Sequence, residues 1–337
     1  MKLTIKYIAL ILVIFAFSCG NNKDVKVKNN NTDSTKNELN DLNTQLAENP
    51  KDASLLNKRA IYYLKQKDVE NAFKDINQAV SIDAKNSAYL ITMAQIYFAM
   101  GKVTDSRKTL LKANEVNPED INPFLKLAEI TYKIGDYKKV FDYVAQALKI
   151  DQSNSTAYYW RGLSLLALGD TTAGVNSFQK AVDNDSKCIE AYTELGNLYA
   201  LNNKPIAEDY YNNALKIDSL SVEAIYGLAM YYQNNEKYEK AISLYNKILK
   251  ITPNEKYSLY NIGYVYLIYS DNYDGAIDYF NKTIAVDPQF AQAYFNRGYA
   301  YELKGDKKNA LADYRKALEI KPDYKKAIKA IKILGVN

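Results

Sequence analysis

Few side chains in this chain are equipped for chemistry, and their spacing argues against most of it. Histidine is absent from all 337 residues, which removes the commonest general base, the usual partner of a nucleophilic Ser or Cys, and the imidazole ligands of zinc and iron sites. Two cysteines, Cys19 and Cys188, allow one disulfide at most and no thiolate cluster. Asp183 with Asp185, and Asp271 with Asp274, have the spacing for calcium binding or acid–base work. Both pairs fall in or beside turns, where capping and solvation are the ordinary uses of a carboxylate. Cys188 lies in a connection between helical units and reads as a lone structural thiol. With no Gly-rich phosphate loop and no nucleophile beside a base, the expectation is a non-enzyme with no catalytic residue, no cofactor and no metal.

Composition bounds the alternatives. Hydrophobic residues make up 47% of the chain and charged residues 25%, enough apolar material for a sizeable core. The formal charge is +5, and removal of residues 1–18 would leave 42 basic against 39 acidic residues. Near-neutrality gives nucleic-acid binding little support, because that requires neutralising many phosphates. The 31 tyrosines are the unusual feature.

At the N-terminus, Lys2 and Lys6 precede an apolar run from Ile8 to Phe17. A bilayer crossing takes about 20 apolar residues, so this shorter run with a basic flank reads as an export signal. Ala16-Phe17-Ser18-Cys19 resembles a bacterial lipobox, although Phe17 is bulkier than the usual residue there. That resemblance implies cleavage before Cys19 and lipid on its sulfur and amino group, so that the protein is anchored to the membrane without spanning it. Gly20 in place of Asp points to the outer rather than the inner membrane, by analogy with enteric sorting. Residues 19–35 are polar and Asn-rich and cannot bury a core. As a flexible tether they would reach roughly 20 to 25 Å.

The rest of the chain is periodic. Gly298 finds small counterparts at Gly263, Ala229, Gly196, Gly162, Ala128, Ala94 and Ala60, in steps of 34 residues with one 35 and one 33. Ala310 and Ala317 head two further columns of mostly small residues, and Phe178, Tyr211, Tyr245, Phe280 and Tyr314 form a column of large ones. Within a unit, Tyr294, Arg297, Gly298 and Tyr301 lie three or four apart, and after Gly305-Asp306 so do Ala310, Leu311, Tyr314, Ala317 and Leu318. Each unit therefore reads as two amphipathic helices. Gly101, Gly135, Gly169 and Gly305 suit the left-handed end of the first helix, and Asp136, Asp170 and Asp306 suit the N-cap of the second. Pro118, Pro253, Pro288 and Pro322 stop the second helix.

These columns resemble the tetratricopeptide repeat family over residues 53–324. The resemblance implies an all-α, right-handed superhelical solenoid of eight units: 53–86, 87–120, 121–154, 155–188, 189–221, 222–255, 256–290 and 291–324. Length changes in units five and seven fall in their turns. The open ends need capping helices, expected at residues 36–52, with a capping box at Thr35-Lys36-Asn37-Glu38 and Leu39, Leu42 and Leu46 facing in. At residues 325–337, Ile328, Ile331 and Leu334 should face in, and Lys325, Lys326, Lys329 and Lys332 out.

In the family the first helix of each unit lines a concave, ligand-binding side. Here those places hold Tyr159 and Trp160, then Tyr226 and Met230, Tyr260 and Tyr264, and Phe295 and Tyr299. The first three units have Asn57, Lys58, Ile91, Gln95, Lys126 and Glu129 instead, so the groove should be polar at one end and aromatic at the other. Tyrosine and tryptophan are favoured at interface hot spots, although some of these rings could instead pack within the array. The family's clamp for chaperone C-termini is not carried over, because Asn261 and Asn296 lack basic partners around them. The expected role is an envelope adaptor holding proteins or peptides in the groove. The alternative is a glycan or small-molecule receptor that uses the aromatic end. Oligomeric state is left open.

Overall fold

The computed structural model describes residues 31–335, so the export segment, Cys19 and most of the tether lie outside it. Eighteen helices and no strands occur among the described residues. After α1 (Asn31–Glu48) come eight antiparallel pairs: α2 (Ala53–Lys65) with α3 (Val69–Ile82), α4 (Ser87–Ala99) with α5 (Val103–Val116), α6 (Asn122–Lys133) with α7 (Tyr137–Ile150), α8 (Ser155–Ala167) with α9 (Thr171–Asn184), α10 (Ile189–Leu201) with α11 (Ile206–Ile217), α12 (Val222–Asn234) with α13 (Tyr238–Ile251), α14 (Lys256–Tyr269) with α15 (Tyr273–Val286), and α16 (Ala291–Leu303) with α17 (Lys307–Ile320). The short α18 (Lys325–Ile333) closes the array. Each helix packs mainly on its neighbours in sequence, giving an all-α solenoid.

The turns explain the regularity. Gly101, Gly135, Gly169 and Gly305 have φ of 75°, 83°, 89° and 82°, the left-handed region that glycine enters without a Cβ penalty. In the other four repeats Lys67, Asn203, Glu236 and Asp271 occupy that place at φ of 63°, 51°, 61° and 48°. In seven of the eight repeats the next N–H closes the helix by donating five residues back, as from Asp306 to the Tyr301 carbonyl at 2.9 Å and from Lys237 to Tyr232 at 2.9 Å. Repeat seven, one residue longer, closes from Asn272 to Tyr266 at 3.0 Å. Asp68, Asp136, Asp170, Asn272 and Asp306 cap the second helices by accepting from the N–H three residues on.

Second helices stop at a residue with φ near −135°, followed by proline at Asn117, Thr252, Asp287 and Lys321. Where proline is missing, Asp83, Asp151, Asp185 and Asp218 hold the same bend by accepting from the N–H two residues on, at 3.1, 3.0, 2.9 and 2.9 Å.

Packing within a pair follows one rule. Gly162, Gly196, Gly263 and Gly298 leave no room for a Cβ beside the rings of Phe178, Tyr211, Phe280 and Tyr314; at Gly162 it would lie 2.6 Å from Phe178. Where the first helix has Ala60, Ala94 or Ala128, the second supplies the smaller Ile76, Leu110 or Val144, all buried. Ala229 with Tyr245 is the exception, with Tyr245 fully buried.

The ends differ from expectation in three ways. α1 begins at Asn31, so Thr35 lies inside the helix rather than capping it, and residues 31–35 belong to α1 rather than to the tether. Leu42 and Leu46 are buried against repeat one, with Leu39 packed beside them. In α18 the buried residue is Ala327, because the short methyl fits the close approach to α17, and Ile328 turns outward to 36% exposure. The four lysines are exposed as expected.

Replacing Gly162 by alanine is expected to lower stability by about 1 to 3 kcal/mol, because the Phe178 ring is fully enclosed. Combining it with Phe178→Leu, which recreates the alanine and aliphatic pairing of repeats one to three, should recover much of the loss in urea unfolding.

Candidate functional site

First helices lie side by side on one face of the array: α2, α4, α6 and α8 pack in succession, as do α10 with α12 and α14 with α16. No two successive second helices among the described residues pack as closely. Elements on the inside of a curve come closer than those outside, so the first helices form the inner wall.

The singled-out residues divide into two groups on that wall. Tyr159 and Trp160 are each only 1% exposed and present no surface. Tyr159 packs 5.8 Å from the Phe178 ring and 5.4 Å from Trp160, while Tyr132 of the preceding repeat covers Trp160 at 5.6 Å. Helical spacing put them on the inner face, but the neighbouring repeat buries that face.

Tyr226, Met230, Tyr260, Tyr264, Phe295 and Tyr299 of the first helices remain half-buried. The Tyr226 hydroxyl accepts from Asn261 Nδ2 at 3.0 Å, and the Tyr260 hydroxyl accepts from Asn296 Nδ2 at 2.8 Å. Each bond joins one repeat to the next. Asn261 also lies 3.4 Å from Met230 Sδ and 3.3 Å from the Tyr245 hydroxyl, which donates to Gln233 Oε1 at 3.0 Å. These two asparagines are buried and engaged with tyrosine, so they are not available as a carboxylate clamp. Rings brace rings as well: Tyr260 lies 5.0 Å from Phe290 and 6.4 Å from Tyr264, and Phe295 lies 5.2 Å from Tyr324.

Burial sets the titration of this end. It pushes the Tyr226 hydroxyl up to about 12, partly opposed by the Asn261 bond, and it raises Tyr260, Tyr264 and Tyr245 too. At the polar end Glu129 is bound by Lys126 at 2.8 Å and Lys133 at 2.6 Å. Burial opposes its ionisation, yet the two ammonium groups hold its carboxyl below the usual range.

The acidic pairs are architectural. Asp185 makes the bend described above, and Asp183 accepts from Gln179 Nε2 at 2.8 Å. Asp271 takes the left-handed turn place, and Asp274 pairs with Lys304. No group of three or more His, Cys, Asp or Glu side chains that could hold a metal occurs among the described residues. Cys188 is buried.

One residue on the wall was not singled out in the sequence. Glu194 of α10 stands where repeats seven and eight have Asn261 and Asn296. It accepts from Asn197 Nδ2 at 3.4 Å, and Asn197 Oδ1 in turn takes the Tyr211 hydroxyl at 2.8 Å. Burial raises its carboxyl, the Asn197 bond opposes this, and no cation lowers it. The column supplied the signal, with an acid where its counterparts are neutral.

Sequence models of the tetratricopeptide repeat match residues 63–130, 155–188, 222–255 and 265–325, together more than half of the chain. The chain belongs to the tetratricopeptide repeat family. Among curated relatives, a DnaJ homolog subfamily C member 3 homolog from Dictyostelium discoideum is 26% identical over 39% of this chain and 36% of its own length. The TPR repeat-containing protein MJ1428 of Methanocaldococcus jannaschii is 26% identical over 39% of this chain and 23% of its own length. The chain thus matches only about a third or less of these tetratricopeptide repeat proteins. The structure of the APC/C hetero-tetramer Cut9-Hcn1 is similar over 90% of this chain and 59% of that one, with TM-score 0.59 and 16% identity. Pseudomonas aeruginosa pilF is similar over 63% of this chain and 97% of its own, with TM-score 0.56 and 15% identity. Both likenesses concern the fold alone. Tetratricopeptide repeat proteins mediate protein–protein interactions, and this chain carries that scaffold.

A tyrosine titrates near 10 when unfolded, while burial raises Tyr132, Tyr226 and Tyr324 to about 12. A folded value above the unfolded one means that this stabilisation is complete below pH 10 and lost as pH rises towards 12. Urea melts should therefore hold their midpoint up to pH 10 and fall steadily above it, in step with tyrosinate absorbance.

Proposed function

We propose that this protein is a non-enzymatic adaptor, anchored by lipid on Cys19 to a bacterial envelope membrane, that holds partner proteins or peptides against the inner wall of its solenoid. The observation that supports it best is the half-buried aromatic surface of repeats six to eight, whose Tyr226 and Tyr260 hydroxyls are bonded to the next repeat. Those bonds fix ring orientation before a partner arrives, so docking would order few side chains and retain more of its contact energy. Tyr159 and Trp160 are no part of this surface.

The anchor rests on Lys2, Lys6, the apolar run and the Ala16–Cys19 segment. Several acyl chains on one residue hold a domain at a bilayer far more persistently than one. Gly20 favours the outer membrane, and the residues up to α1 would space the array from the lipid.

Two experiments test the two halves. Cys19→Ala should abolish metabolic labelling by a palmitate analogue and release the protein from the membrane fraction; labelling that persists would rule out Cys19 as the anchor. Tyr260→Ala with Tyr264→Ala should reduce recovery of crosslinked envelope partners at least about tenfold. Undiminished recovery from a less stable variant would show these rings to be packing only. A glycan-array signal lost in the same variant, without protein partners, would favour a glycan receptor.

A further inference from the structure

We propose that the inner wall from repeat five onward receives a partner segment bearing lysine or arginine, with Glu194 as the carboxylate that takes its charge. This rests on the groove being the docking surface, and it names the chemistry of the occupant.

The wall's charges lead there. Its first helices α10, α12, α14 and α16 carry Glu190, Glu194, Glu223 and Glu302 but only two cations, Lys256 and Arg297. Both cations are already used: Lys256 pairs with Asp287 at 2.6 Å, and Arg297 grips Asp313 through two bonds of 2.8 and 2.7 Å. Neither cation is therefore available to Glu194. Glu302 is satisfied differently, accepting from the Tyr314 hydroxyl.

Glu194 differs from Glu129, another half-buried acid on the wall. Glu129 is closed by two lysines of its own helix. Glu194 has one long bond, from the neutral Asn197 amide. Its charge is felt by Tyr132 on α6 and by Tyr211 on α11, two repeats and one helix away. A half-buried carboxylate without a cation is costly to keep, and truncating one partner of a buried charged pair commonly changes binding by large factors. At the same position Asn261 and Asn296 spend their amides on the preceding tyrosine. An ionised carboxylate has no proton to donate in this way, so Glu194 in its charged form can only accept, and its one bond is the long one from Asn197.

The aromatic surface continues the recognition. Beyond Glu194 the wall offers the half-buried faces of Tyr226, Tyr260, Tyr264, Phe295 and Tyr299, which attract ammonium and guanidinium groups. A neutral or acidic segment would gain the ring contacts alone, whereas a cationic one would gain the rings and the carboxylate.

The test uses the full soluble chain from Cys19 onward and a panel of extended peptides in matched pairs, lysine against acetyl-lysine and arginine against citrulline, read by fluorescence anisotropy. Wild type should bind the cationic member at least about tenfold more tightly, and Glu194→Gln, of the same shape, should erase that preference while keeping the melting temperature. Glu129→Gln, which removes an acid already neutralised, should keep it. The proposal is overturned if no cationic peptide binds, if Glu194→Gln retains the preference, or if charge has no effect on peptides that still need Tyr260 and Tyr264. That last result would leave the groove reading standing, whereas cationic binding that depends on Glu194 but not on Tyr260 and Tyr264 would support the proposal and confine the docking surface to repeat five. Self-association lost in Glu194→Gln would make a second copy the occupant and overturn the partner named above.

Discussion

The structure depends on how closely two helices of one repeat can cross. The distance is set by a small residue on the first helix and a larger one on the second, and the two sizes compensate. Glycine faces Phe178, Tyr211, Phe280 and Tyr314, and alanine faces Ile76, Leu110 and Val144. Interiors pack to crystal-like density, so a crossing with both partners large would splay and one with both small would leave a void. Because seven of the eight repeats satisfy this condition separately, with Ala229 and Tyr245 of repeat six the exception, the units can differ elsewhere in sequence and still stack.

Stacking then needs a lateral bond, and the array uses different ones along its length. At the two ends, Arg59 binds Asp75 and reaches back to Asn43 on α1 at 2.8 Å, while Arg297 binds Asp313 and also Asn281 of the preceding repeat. These bidentate pairs fasten the terminal repeats, which have fewer neighbours to bury them. In repeat four the corresponding arginine is Arg161, exposed to solvent, and the corresponding acid is Ser177. There the lateral contact is apolar instead: Tyr132 on Trp160, and Trp160 on Tyr159. Repeats six to eight use the asparagine and tyrosine bonds. Burial of Tyr159 and Trp160 is thus the local solution to stacking, which is why they are lost to the groove.

Legibility in the sequence follows from which features act within one repeat. The helix pairs, the glycine and aspartate caps, the proline stops and the crossing columns are all local, and they stand in the structure where spacing puts them. The left-handed turns at Lys67 and Glu236 were not legible, because only the fixed length of the turn forces those residues into it. The start of α1 was hidden by its polar residues, which helix periodicity cannot distinguish from a tether. Periodicity also shows that Tyr159 and Tyr260 share a face without showing what covers it. Tyr132 is large and reaches Trp160, whereas Tyr226 spends its hydroxyl on Asn261 and leaves part of the ring open. Ile328 was misplaced for a similar reason, since Ala327 takes the inner place against α17.

The same lateral bonds bear on what the groove can do. A tyrosine hydroxyl bonded across a repeat boundary ties ring orientation to the angle between repeats, so a ligand pressing on Tyr226 or Tyr260 also presses on the curvature. The polar end lacks such ties, and its Glu129 is neutralised within a single helix by Lys126 and Lys133. Repeats are coupled only to their neighbours, so a partner seated on the aromatic end would stiffen repeats six to eight and leave repeats one to three nearly as free as before. Glu194 lies at the boundary between those regions, where the internal neutralisation of the polar end stops and the aromatic ladder has not yet begun. A partner's cation meeting Glu194, as proposed above, would act between the apolar stacking of repeat four and the asparagine and tyrosine bonds of repeats six to eight.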